Sequence, residues 1–177
     1  MFLQRFLKPS QAQTLGEKLY ASTVAQARTP ALYAVLHAPD TPDGRFEVYT
    51  LHVLLVLARL RAEGAKAASA AQAYFDAYLG GLDNGLRELA VGDLAVGKTM
   101  RRLGEAFYGR GKALEAAFEA LPDRAPLGGL LTRTVFGGDE SVDPAPLGDY
   151  LLAVRDALTA APAEPLLAGD IPWPRLG

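Results

Sequence analysis

The sequence predicts an all-α fold, a single compact domain of about seven helices followed by a Pro-rich extended C-terminal tail. Three observations predict it. Half of the 177 residues are apolar, with Ala and Leu dominant, and Ala loses no side-chain entropy in a helix and Leu little. Apolar residues recur at helical spacing between caps and stops. The most apolar run, Leu51 to Leu60, has only His52 and Arg59 as polar members, the pattern of a helix buried nearly all round. A buried strand is the alternative for this run; its length and the turn before it favour a helix.

The length fits one domain, or one domain with a tail, here drawn as 1–161 and 162–177. A chain of this size can bury about 70 % of its unfolded surface, so it needs no staples. The net charge is −2 with both signs mixed along the chain, which gives no footprint for direct nucleic-acid binding. There is no cysteine, which excludes disulfides, thiol catalysis and zinc-thiolate sites and fits a reducing compartment. No secretory signal is evident, and no apolar run nears the length of a membrane span. The first eight residues are amphipathic, with Phe2, Leu3, Phe6 and Leu7 opposite Arg5 and Lys8. They suit either a turn docked on the core or a contact with a membrane surface.

Taken in order, Ser10 caps a first helix from Gln11 to Arg28, stopped at Thr29-Pro30 because the residue before a proline avoids the α region. A short helical piece, Ala31 to Leu36, carries Tyr33. Residues Pro39 to Glu47 form a turn rich in Pro and Asp. The central helix then runs from Val48 to Leu60 and ends at Glu63-Gly64-Ala65. Ala67 to Leu79, with Tyr74, Phe75 and Tyr78, is a helix stopped at Gly80-Gly81. Asp83 caps a short helix, Asn84 to Val91, and Asp93 caps a long one, Leu94 to Leu121, before Pro122. In that long helix Gly97, Gly104 and Gly111 recur every seven residues, as do Met100, Phe107, Leu114 and Leu121. Each glycine costs an isolated helix roughly 1 kcal/mol, so the spacing predicts a close crossing by the central helix along this seam. Leu127 to Phe136 and Pro146 to Ala160 are the last helices, and Trp173 ties down the tail.

Residues 92–99, Gly-Asp-Leu-Ala-Val-Gly-Lys-Thr, match the phosphate-loop pattern. Such a loop needs an apolar strand before it, and Asn84 to Val91 instead reads as a charged helical segment. An NTPase would use Lys98 and Thr99, and would also need a second strand ending in an Asp that holds magnesium. Of the two histidines, His52 is either a base or metal ligand, with Asp40, Asp43 or Glu47 beside it, or a core histidine bonded to a carbonyl or carboxylate. Asp43 and Glu47 at i, i+4 would make only half of a metal site. Arg28, Arg45, Arg87 and Arg110, together with Asp40, Asp43, Glu88 and Asp93, sit near element boundaries. They either pin loops to helix ends or line a polar groove for a partner.

Four segments resemble the ubiquinol–cytochrome c chaperone family: Leu19-Tyr20 through Gln26-Ala27-Arg28-Thr29-Pro30 with Leu32-Tyr33; Asp40 to Glu47 with Leu51-His52; Leu82-Asp83 through Leu86-Arg87-Glu88 with Val91-Gly92-Asp93-Leu94; and Val96-Gly97-Lys98 through Ala106-Phe107-Tyr108-Gly109-Arg110. They span roughly residues 15–120, and the last third is only loosely similar. The resemblance implies an all-helical assembly factor for the respiratory bc1 complex, with no catalysis, no cofactor and no metal. It implies newly made cytochrome b, or another bc1 subunit, as client, with a small helper protein and the ribosome as further partners. Mitochondrial relatives act in the matrix, near the inner membrane. This chain shows no transit segment and has the length and Ala/Gly/Arg-rich usage of a bacterial member, which implies a cytoplasmic location with peripheral contact at the inner membrane. In the family a Gly-x-Gly-Asp-Leu link joins two helices, which accounts for the phosphate-loop match; Ala90 here replaces its first glycine. The residues expected to contact a partner are Arg28, Tyr33, Asp40, Arg45, Phe46, His52, Arg87, Glu88, Asp93, Lys98, Phe107 and Arg110.

Overall fold

A computed structural model of the chain describes residues 10–88 and 93–176; the amphipathic residues 1–8 and the linker positions Ala90 and Gly92 lie outside the described residues. Every element among those described is helical: α1 (Gln11–Ala27), α2 (Ala31–Ala34), α3 (Pro42–Ala62), α4 (Ala68–Glu88), α5 (Asp93–Glu119), α6 (Ala125–Thr134), α7 (Ala145–Ala160) and α8 (Ala163–Leu167), with a 3-10 turn at Gly64–Lys66.

The centre is α3, as its composition predicts. Val48, Leu51, Val53, Val56, Leu57 and Leu60 are each at most 1 % exposed, and at 100° per residue these positions cover about 240° of the circumference. Neighbours therefore enclose it on several sides: α1, α4, α5 and α7 all pack against it. Its start is earlier than Val48. Thr41 accepts a hydrogen bond from the Gly44 amide at 3.1 Å, and Pro42 fills the first helical position, where a missing N–H costs nothing. The stretch read as a turn is thus mostly the first turn of the helix. The stop at Gly64 holds, with φ +63°, a conformation glycine adopts without a Cβ penalty. At the same end Arg59 donates to the carbonyls of Leu158 at 2.7 Å and Ala161 at 3.0 Å and pairs with Glu63. It thereby satisfies terminal carbonyls of α7.

Helix α1 begins at Ser10, whose hydroxyl accepts from the Gln13 amide while the Gln13 side chain accepts from the Ser10 amide, a reciprocal cap. It lies along α4 so closely that a Cβ on Gly16 would stand 2.6 Å from the Ala73 carbonyl carbon. Thr23 donates to the Leu19 carbonyl, which leaves its oxygen to accept from the Tyr74 hydroxyl at 2.9 Å.

Two expectations fail. Gly80-Gly81 does not end a helix, and Asp83 caps no new one: α4 continues to Glu88. Gly81 packs against the Tyr20 ring, so the glycine serves a contact, and packing of α4 on α1 keeps the helix going where propensity alone would stop it. Nor do the α5 glycines form a seam. A Cβ on Gly97 or Gly104 would meet nothing within 4 Å; only Gly111 approaches α3, 3.1 Å from Leu54 Cδ2. The apolar half of the heptad does turn inward, with Phe107 and Leu114 buried. The C-terminal stretch, read as an extended tail, opens with the short helix α8, and residues 170–176 then run without helix. They are tied down as expected: Trp173 Nε1 donates to Ser22 Oγ at 3.0 Å, and Lys18 donates to the Ala168 carbonyl and Asp170.

Candidate functional site

The structure divides the expected partner-binding residues among five places. Arg28, Tyr33, Asp40 and Arg45 gather at the corner of α1, α2 and α3. There Arg45 pairs with Asp40 and lies over the Tyr33 ring, 5.1 Å from its centroid, while the Tyr33 hydroxyl donates to the Ala27 carbonyl at 2.6 Å. The hydrogen bond from Arg45 holds Asp40 below the usual carboxylate range. Partial burial raises Tyr33, against the lowering field of Arg45. Phe46 is half-buried one turn into α3. Arg110 on α5 forms a two-pronged pair with Glu47 on α3, joining the two helices through side chains 63 residues apart in sequence. Arg87 pairs with Asp83 one turn back on α4, near exposed Glu88. Lys98 is exposed on α5, the helix that Asp93 opens.

His52 and Phe107 are buried in the core, His52 completely and Phe107 at 3 % exposure. His52 Nδ1 lies 2.7 Å from the Val48 carbonyl. A carbonyl only accepts, so the proton sits on Nδ1 and Nε2 accepts from the Tyr150 hydroxyl, also at 2.7 Å. Gln26 in turn donates to Tyr150 at 2.9 Å. Burial pushes His52 down to about 4, with the Val48 bond pulling the other way, and pushes Tyr150 up to about 12 against the Gln26 bond. The chain from Gln26 through Tyr150 and His52 to Val48 joins α1, α7 and α3, and Trp173 covers it with its ring 5.5 Å from His52. The histidine is therefore a neutral structural link rather than a base. No group of three or more potential metal ligands occurs among the described residues. Asp93 to Thr99 lie within α5, and the described residues that precede them, up to Glu88, are α4 rather than a strand, so the phosphate-loop pattern lacks the context that gives it function.

A concavity of about 770 Å³ lies elsewhere, between α3 and α5. Leu54, Leu55 and Leu57 of α3 and Leu114 and Phe118 of α5 form its floor, Ala58 its α3 lip, and Arg61, Lys112, Glu115 and Glu119 its charged rim. A second hollow of about 500 Å³ extends it toward α4, sharing Leu57, Arg61 and Tyr108. Tyr108 stands where the two meet. It is 60 % exposed, yet its ring is held against Phe107 (5.9 Å) and Phe75 (6.4 Å). An apolar floor with a charged rim matches what an apolar helix needs from a receptor. Of the residues expected from sequence only Phe107 lines this groove. Two signals pointed to it: the α3 run carries more leucine than a one-sided helix needs, and Tyr108 stands beside the inward-facing Phe107 in the next helix.

The profile of the ubiquinol–cytochrome C chaperone family matches residues 34–173. The fold is similar to the crystal structure of the Cbp3 homolog from Brucella abortus, with a TM-score of 0.84 and 37 % sequence identity over 94 % of this chain and 92 % of that one. No curated protein sequence matches the chain. A family match over most of the length, with a similar solved structure along nearly the whole fold, places the protein: the chain belongs to the ubiquinol–cytochrome c chaperone family.

Proposed function

We propose that this protein is a non-catalytic assembly chaperone for the respiratory cytochrome bc1 complex, and that it holds apolar helical segments of newly made cytochrome b in the α3–α5 groove. Family membership supports the assembly role. The groove carries the client assignment: from Phe107 to Phe118 it follows about 17 Å of α5 at 1.5 Å per residue, room for roughly three turns of a client helix on a leucine and phenylalanine floor. The charged rim excludes water at the edges and sets the register of the bound helix. The corner of Arg28, Tyr33, Asp40 and Arg45 is a second surface, suited to a helper protein. The place of action is the cytoplasmic side of the inner membrane, where the client inserts.

The test is site-directed crosslinking to newly synthesised cytochrome b. Ala58 is exposed at the lip and Tyr108 largely so, so Ala58→Glu with Tyr108→Glu spares the core. Placing charge against an apolar client costs about 2–3 kcal/mol, and capture falls at least about tenfold. Arg45→Glu with Arg87→Glu leaves client capture in place. Unchanged capture by the Ala58/Tyr108 variant, with loss in the Arg45/Arg87 variant, would move the client to the boundary residues.

A further inference from the structure

The outer face of α5 carries charge that no ion pair among the described residues uses. Lys98, Arg101 and Arg102 are all exposed, and none forms an ion pair among the described residues. At 100° per residue they fall within an arc of about 100°, which continues to exposed Lys112 and includes one carboxylate, Glu105. Arg110, on the same stretch, is neutralised by Glu47. The face thus holds four free cations against one carboxylate, a net of +3 in a chain whose total is −2. A solvated helix face ordinarily mixes its signs; here the cations gather in the first half and Glu115 and Glu119 follow beyond.

Tyr108 borders the same face. With Val35 it is one of two large apolar side chains this exposed among the described residues, and its amphipathic ring suits the headgroup layer of a bilayer. The strip from Lys98 to Lys112 lies within one helix and is about 21 Å long, a length that can lie along a surface. No described helix is long and apolar enough to cross a membrane, so contact through this face is peripheral. A single-stranded nucleic acid would use several stacking aromatics beside the cations, and the face offers one.

We propose that the outer face of α5 docks the protein on an anionic lipid surface, with Lys98, Arg101 and Arg102 against headgroup phosphates and Tyr108 at the interface. Lys98, Arg101 and Arg102 lie outside the groove, so the inference goes beyond client capture; it sets the groove mouth at the membrane, beside the site of client insertion.

The test is cosedimentation of the full chain with phosphatidylcholine vesicles, with and without phosphatidylglycerol. Binding requires the anionic lipid and weakens as salt is added. Each cation near such a surface contributes about a fivefold gain in partitioning, so K98Q/R101Q/R102Q together lose about 100-fold, while Arg133→Gln on α6 binds as the parent does. Circular dichroism melts check that each variant is folded. Equal binding to neutral vesicles, or full binding by the triple variant, overturns the proposal. So does an RNA oligomer that binds the same cations while anionic vesicles do not. No client is present in this measurement, so it can fail while client crosslinking succeeds, and the reverse.

Discussion

At the scale of single residues, His52 shows how burial turns a titratable group into a structural one. The fold keeps it neutral down to about pH 4, whereas an unfolded chain protonates it near 6.5. Between these values the unfolded state binds more protons, so stability contributed by His52 is complete above pH 6.5 and is lost as pH falls toward 4. The full effect is on the order of 3 kcal/mol. His52→Gln removes this proton while keeping a polar side chain. Denaturant unfolding at a series of pH values should show a shallower acid slope for the variant than for the parent; equal slopes would mean that His52 is hydrated in the native state. The sequence exposed half of this: a core histidine bonded to a carbonyl or carboxylate is one of the two readings that a histidine in a run of leucines allows. Its partner Tyr150 lies 98 residues away, and no local pattern could supply it. The Glu47–Arg110 pair was hidden for the same reason.

At the scale of elements, starts and stops were legible where one residue's chemistry decides them. Ser10, Thr29-Pro30 and Gly64 act within three or four residues of themselves, whereas the cap at Thr41 was hidden in a Pro- and Asp-rich stretch that reads equally as a turn. Glycines inside a helix were not legible, because their meaning depends on the neighbour. Gly16 admits α4, Gly81 admits Tyr20, and Gly104 faces open space, though all three look alike in sequence. Opposite outcomes follow for one substitution. Gly16→Ala would push a Cβ to 2.6 Å from the Ala73 carbonyl carbon and 2.7 Å from the Tyr74 amide nitrogen. Backbone atoms there cannot swing aside, and the cost is about 3 kcal/mol. Gly104→Ala meets nothing and gains about 1 kcal/mol from the narrower unfolded ensemble and better helix propensity. Thermal melts of the two variants should move in opposite directions. A rise for Gly16→Ala would show that α1 and α4 are less closely packed than the fold implies.

For the whole molecule, the decisive arrangement is that α3 is shared. One side of it is closed by α1, α4 and α7, and its leucines toward α5 floor the groove. The closed side is completed by the far end of the chain. Trp173 lies over His52 and donates to Ser22, so residues 170–176 seal the link between α1, α3 and α7 against water. Trp173→Ala should therefore do two things at once. It should destabilise the fold by about 2–3 kcal/mol through lost packing of a half-buried indole. It should also admit water to the His52 ring, raising its pKa from about 4 back toward 6.5, so that part of the acid sensitivity disappears with the ring. Proton NMR of the His52 ring during a pH titration, together with unfolding at each pH, separates these effects. A loss of stability with His52 still titrating near 4 would make Trp173 a packing residue alone, with the Gln26–Tyr150–His52 chain holding its own dryness. A raised pKa would show that the last residues of the chain control the electrostatics of its central helix.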